Sequence, residues 1–331
     1  MNSDLQTITI RYLEAREAVK SAFRMENDHS FPVAANIYVA AGMPVDTERL
    51  KELKRLVKRD AGVFSNFRGS VMVPLVCKLA TSDDPAARWE RAQRNYAILK
   101  EHFMRSEYLA LAALLLTDSA SDAQVPQLAA RSRALYLRMK KEHPFLTGQE
   151  DSVFSILLAQ SPKSDDELLR DAEECYRLLD ARFPKSNGLQ SASHVLAMID
   201  GAPAEKAGRV IALYDALRGA GAKYGKEWEL PLLSAFAGDD VPIDTVVSEM
   251  TEVDSLLKGQ SGYRGIFGYD RKTRMMHAAM LVSTAHERDR EGLVSAIAQQ
   301  SAVAMIAAQQ AMLCAMIACS TASASAASAA H

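Results

Sequence analysis

Three groups of residues in this 331-residue chain have types and spacings that chemistry could use. The turn His143-Pro144-Phe145-Leu146-Thr147-Gly148-Gln149-Glu150-Asp151 sets an imidazole and two carboxylates close together at an expected helix start. Such groups serve as zinc donors or as a general base. The spacing is neither HxxxH nor HExxH, however, and Pro144 and Gly148 mark a turn in which Thr147 can cap the next helix with Glu150 as its capping-box partner. The second group is the glycine loop Gly259-Gln260-Ser261-Gly262-Tyr263-Arg264-Gly265-Ile266-Phe267-Gly268, which leads into Arg271, Lys272 and Arg274. Backbone amides and guanidinium groups there suit a small anion. No GK[ST] follows and no strand precedes, so it is neither a Walker loop nor a dinucleotide fingerprint; the plain alternative is a flexible connector. The third group is His194 and His277, each in a helix of small residues and about two places apart when internal copies are aligned. Both could face a common interior, although a lone histidine on an apolar helix face is commonly a hydrogen-bonded core residue.

The chain contains no GxSxG, HExxH, P-loop or CxxC, which removes the common hydrolase, metalloprotease, nucleotide-triphosphatase and zinc-ribbon readings. No metal set and no cofactor is specified. Basic and acidic residues number 39 and 41, for a formal charge of −2, so no broad field favours nucleic acid or an anionic bilayer. Cys77, Cys175, Cys314 and Cys319 read as reduced, buried thiols. The N-terminal residues Met1 to Thr7 lack a basic and then apolar leader, and the expected location is the cytoplasm.

Helices must position these groups. Apolar residues are 48% of the chain and Gly and Pro are sparse, at 16 and 11, which favours helix over strand. The spacing predicts helices over 4–26, 31–42, 46–60, 66–80, 84–103, 106–117, 121–142, 149–160, 165–183, 188–199, 203–219, 227–237, 241–258, 271–286 and 289–319, with no segment alternating at period two. The chain also repeats itself. Val76-Cys77-Lys78-Leu79-Ala80 precedes Asp83-Asp84, Ile156-Leu157-Leu158-Ala159 precedes Asp165-Asp166, and Leu232-Leu233-Ser234-Ala235 precedes Asp239-Asp240. Each acidic pair is expected to cap a helix. Four helices per copy give about forty residues per helix pair, the scale of α-solenoid arrays. Trp89 and Trp228, near these acidic pairs, are read as packing residues.

The expected class is therefore all-α, built of repeated antiparallel helix pairs in an α-solenoid or α/α-superhelix-like array. An N-terminal helix (1–30) precedes a helical-repeat domain (31–288), followed by an Ala- and Met-rich helix (289–320) packed on it and a mobile tail (321–331). Gln309 and Gln310 interrupt the apolar run of 302–319, which argues for a capping or interface helix over a membrane segment.

Several landmarks occur in order: Phe67-Arg68-Gly69, Ser106-Glu107-Tyr108-Leu109-Ala110, His143-Pro144-Phe145-Leu146-Thr147, Gln149-Glu150-Asp151 and the Ala-rich C-terminal helix. Together they resemble domain-of-unknown-function family 4003, a bacterial family, from about residue 30 to 320. The resemblance supports the boundaries and supplies no catalytic residue. Two functions compete. One is a scaffold or interaction module that binds a protein partner or its own copy. The other is a ligand-binding protein or enzyme with a site between repeats, drawing on His143, Glu150, Asp151, His194, Arg264, Arg271, Arg274 and His277 and suited to a small anion.

Overall fold

The computed structural model describes residues 3–290, apart from positions 25, 27, 239, 266 and 267. Among these residues there are fourteen α-helices and no strand, so the chain is all-α. It divides into two compact units: 12–160 forms one, and 161–290 with residues 3–11 forms the other. The expected segments 289–320 and 321–331, with Cys314 and Cys319, lie almost entirely outside the described residues.

In the first unit, amphipathic helices alternate with helices buried nearly all round. The amphipathic members are α3 (Thr47–Asp60), α5 (Pro85–Leu99) and α7 (Val125–Glu142), and the buried ones are α2 (Ser30–Ala41), α4 (Met72–Ala80), α6 (Glu107–Ser119) and α8 (Asp151–Ala159). α1 (Ser3–Ala22) gives its first turns to the other unit. In α3 only Leu50, Leu53 and Val57 are buried, one stripe at helical spacing. In α6 all nine residues from Leu109 to Thr117 are buried, as expected of a helix covered on every side. The second unit repeats the alternation: α9 (Asp165–Asp180), α11 (Pro203–Gly219) and α13 (Ile243–Lys258) are amphipathic, while α10 (Asn187–Met198) and the short α12 (Leu230–Ala235) are almost wholly buried. α14 (Arg271–Arg290) closes the described chain.

One contact recurs in three of the pairs formed by an amphipathic helix and the buried helix that follows it. The seventh residue of α5, α7 and α11 is an arginine, and each reaches the carbonyls that end the following buried helix. Arg91 donates to Thr117 O (3.0 Å) and Ala120 O, Arg131 to Ala159 O (2.9 Å), and Arg209 to Phe236 O (2.8 Å). Helices leave their last carbonyls unpaired and carry partial negative charge there, so a cation from the partner helix satisfies both. α3, α9 and α13 carry Leu53, Asp171 and Glu249 at the seventh position instead; Lys163 and Lys206 serve the end of α10, at 3.0 Å from Ala197 O and 2.8 Å from Ile199 O.

Helix ends differ from the sequence reading where loops close first. Of the acidic pairs, Asp84 caps α5, accepting from Ala87 N at 3.0 Å. Ser164 is the cap of α9, which leaves Asp165 and Asp166 in its first turn. Pro242 occupies the cap position of α13, two residues after Asp240, while Asp239 is outside the described residues. Helix α4 starts at Met72 rather than 66. Glu107, at the start of α6, accepts from Ser70 N at 2.8 Å, and its carboxylate lies so close to Gly69 that a Cβ there would sit 2.0 Å from Oε1. The landmarks Phe67-Arg68-Gly69 and Ser106-Glu107 are thus one contact. Cys77 and Cys175 are free thiols with no exposed surface.

Candidate functional site

Each unit carries a cleft where an amphipathic helix turns into a buried one. In the first unit, α5 ends at Leu99 and the chain turns back through Phe103 to Ser106, which caps α6 by accepting from Leu109 N at 3.1 Å. Phe103 packs edge-on against Tyr136 of α7, with ring centroids 5.5 Å apart, and the Arg133 guanidinium lies over both rings at 5.7 and 5.5 Å. Met104, Leu137, Lys140, Gln149 and Ser152 complete a cleft of about 350 Å³.

His143, Glu150 and Asp151 belong to the loop beside this cleft. The sequence reading made Thr147 and Glu150 a capping box; the loop instead closes on itself, with Leu146 N and Thr147 N both donating to His143 O, and α8 begins at Asp151. Glu150 holds the cap position without a side-chain cap bond. The two carboxylates converge on Gly148: Asp151 Oδ2 accepts its N–H at 2.8 Å, and a Cβ on Gly148 would stand 2.5 Å from Glu150 Oε2. Asp151 is 1% exposed. Burial, and then the neighbouring Glu150 charge, push its carboxyl well above the usual carboxylate range, against the pull of the Gly148 N–H and Lys140. Burial, followed by the Asp151 charge, likewise raises the Tyr136 hydroxyl. Chemically this is a shielded carboxyl, its neutral form favoured by burial, beside an apolar cleft rimmed by two cations.

The second unit holds His194, Arg264, Arg271, Arg274 and His277. His277 Nδ1 is bonded to Tyr263 Oη at 2.8 Å and its ring meets Tyr269 edge-on at 5.0 Å, so it is a hydrogen-bonded core histidine. Arg274, 6% exposed, donates to both oxygens of Asp254 at 2.7 and 3.2 Å, a bidentate pair that occupies its guanidinium. Arg264 and Arg271 are exposed, and His194 is buried within α10. The glycine loop is not a loose connector among its described residues: Tyr263 N donates to Gln260 O (3.1 Å) and Tyr269 N to Gly262 O (3.0 Å), with Gly262 and Gly265 at φ of 77° and 81°, angles that favour glycine. Ile266 and Phe267 are outside the described residues.

Sequence reasoning missed the cleft of this unit, about 420 Å³, walled by Tyr214, Tyr224 and Trp228 with Arg218, Lys223 and Lys226 around them. It is the counterpart of the first. Phe183 meets Tyr214 edge-on at 5.0 Å as Phe103 meets Tyr136, and Arg218 stands where Lys140 does, at shifts of 80 (103 to 183) and 78 (136 to 214, 140 to 218) residues. The Lys-Glu-Trp-Glu run at 226–229 was the available signal, but it read as the start of a packing helix. Among the described residues, no three or more His, Cys, Asp or Glu side chains group as metal ligands, and no helix is long and apolar enough to cross a membrane.

These features define an all-α protein of alternating amphipathic and buried helices with a cleft at one loop edge of each unit. The chain belongs to the family described as "Protein of unknown function (DUF4003)", whose sequence profile matches residues 16–311. It is 26% identical over 205 residues to the "Uncharacterized protein YeaA" of Bacillus subtilis (strain 168), a match covering 60% of this chain and 62% of that protein. The match thus spans less than two thirds of that relative's length. No solved structure matches the chain.

Proposed function

We propose that the chain is a helical-repeat interaction module that grips a partner polypeptide along the loop edge of its 12–160 unit. One observation carries this reading: three successive connections from an amphipathic to a buried helix each hold out a large apolar side chain. Phe64 between α3 and α4 is 100% exposed, Met104 between α5 and α6 79%, and Phe145 between α7 and α8 98%. Exposed apolar groups in series are costly in water unless a partner covers them. Contacts link these loops to their neighbours: Tyr96 of α5 donates to Asn66 Oδ1 at 2.7 Å, Phe103 packs on Tyr136, and Gln149 of the α7–α8 loop lines the same cleft as Met104. The repeat organisation itself is supported by the recurring arginine at the seventh position of α5, α7 and α11.

The partner segment bears an apolar anchor flanked by acidic residues, because the charged side chains lining the adjacent cleft are Arg133 and Lys140, both cationic. Selecting a random peptide library on the immobilised protein tests this. Acidic peptides with an aromatic or Leu anchor are expected to be enriched, and M104D and R133E are expected to weaken their binding about tenfold or more. Peptides without acidic flanks, or binding unaffected by either substitution, would overturn the reading. If sedimentation instead shows a dimer that M104D dissociates, the occupant is a second copy and the acidic-partner reading fails.

A further inference from the structure

The clefts of the two units correspond in position but differ in charge, the first lined by two cations and the second by four cations and two acids. The first offers Met104, Leu137 and Phe103 to an apolar anchor. At the corresponding edge of the second unit, the lining carries four cations, Arg218, Lys223, Lys226 and Lys272, and the indole of Trp228. Among the described residues, none of these four cations has a carboxylate within ion-pair distance. The neighbouring Asp215 carboxylate is taken by Arg182, and Lys226 rests over the Tyr214 ring at 5.7 Å. Of the two acids in the lining, Glu229 is turned back on its own loop, accepting from Glu227 N at 3.2 Å and lying against Gly225, where a Cβ would stand 2.0 Å from its oxygens.

The loop that builds this wall is fixed in place. Buried Tyr224 donates to Glu229 O at 2.8 Å, and the Glu227 carbonyl rests on Gly188 at the start of α10, where a Cβ would fall 2.0 Å from it. An aromatic wall with four cations that are outside ion-pair distance of any described carboxylate, Glu227 of the lining included, suits a ligand that stacks through a ring and presents an anion. A cleft of about 420 Å³ is of small-molecule size.

We propose that the cleft bounded by Tyr214, Trp228 and the four cations is a binding site for a small anionic ligand that carries a flat ring, of the aryl-phosphate class. The site is independent of the peptide-binding edge. Its test uses the full-length chain with Trp89→Phe, which leaves Trp228 as the single indole. Phenyl phosphate, inorganic phosphate and phenol are titrated separately while Trp228 emission is followed, and calorimetry on the unsubstituted chain repeats the measurement in case Trp89→Phe unfolds it. Phenyl phosphate is expected to saturate the signal and to bind about tenfold or more tightly than either half alone, with Arg218→Gln and Lys226→Gln each weakening it about tenfold. Lys54→Gln, in the other unit, leaves binding unchanged. Equal binding of phenol and phenyl phosphate, no saturable binding in either assay, or indifference to both cation substitutions would overturn the proposal.

Discussion

Asp151 shows how a single residue type misleads when its surroundings are invisible. Its position after Glu150 suggested a metal or base site, whereas the fold buries it against the N–H of Gly148 and the side of Glu150. The carboxyl is held above its ordinary range in the folded chain, while an unfolded Asp ionises near about 3.9. The folded state therefore binds the proton more tightly. Its contribution to stability is fully present below the unfolded value and is lost as pH rises through the folded one. Asp151→Asn, which keeps an acceptor for Gly148, is expected to remove that loss: urea midpoints at pH 4.5 and pH 8 should differ less in the variant than in the parent. An unchanged difference would mean that Asp151 is ionised in the folded chain. His277 and Arg274 carry the same lesson. Their types were read correctly, but their partners Tyr263 and Asp254 stand 14 and 20 residues away, and no local pattern announces a contact at that range.

At the scale of elements, the periodicity of buried positions was legible because burial is what selects apolar residues. The stripe of Leu50, Leu53 and Val57 and the run from Leu109 to Thr117 could be read directly. Helix starts were less legible, because a loop that closes on its own carbonyls or on a carboxylate, as Glu107 does at Ser70, shifts the first turn without changing the pattern. Two glycines separate backbone freedom from close approach. Gly208 is exposed within α11 with nothing within 4 Å of an added Cβ, whereas Gly188 in α10 would meet the Glu227 carbonyl at 2.0 Å. Gly208→Ala is expected to stabilise by about 0.5–1 kcal/mol through the unfolded chain and helix propensity. Gly188→Ala should destabilise by about 1–3 kcal/mol or more, because the contact is with backbone. Denaturant melts of both variants check the pair of signs. Arg91→Ala strips the end of α6 of its cation and is expected to cost about 1–2 kcal/mol. Arg91→Lys, which keeps charge but not the fork, should fall between the two in the same melts.

For the molecule as a whole, the acidic pairs, about eighty residues apart in the sequence, suggested a recurring order of helices, but the contacts between paired helices could not be read from them. The arginines at positions 91, 131 and 209 grip main-chain carbonyls, and a carbonyl leaves no letter in a sequence. The clefts were hidden for a related reason: each draws its walls from a loop, an amphipathic helix and the start of a buried helix, so its residues are scattered along the chain. The near balance of charge was plain from composition and carries an expectation of its own. With a formal charge of −2, the protein should form no salt-sensitive complex with duplex DNA at about 0.15 M salt. A gel-shift titration showing such a complex would reveal a concentrated basic face.

The sealed thiols give the molecule an internal clock. Burial raises both Cys77, in the first unit, and Cys175, in the second, with Cys175 pushed up to about 11, so neither presents a thiolate to a reagent while its surroundings stay closed. Labelling can then proceed only as fast as each sulfur is uncovered by local opening. In a chain carrying C314S and C319S, the reaction rates at the two remaining sulfurs time the breathing of one unit each. A substitution such as Gly188→Ala that quickens Cys175 alone would show opening confined to its own half, and one that quickens both would show how far a disturbance travels.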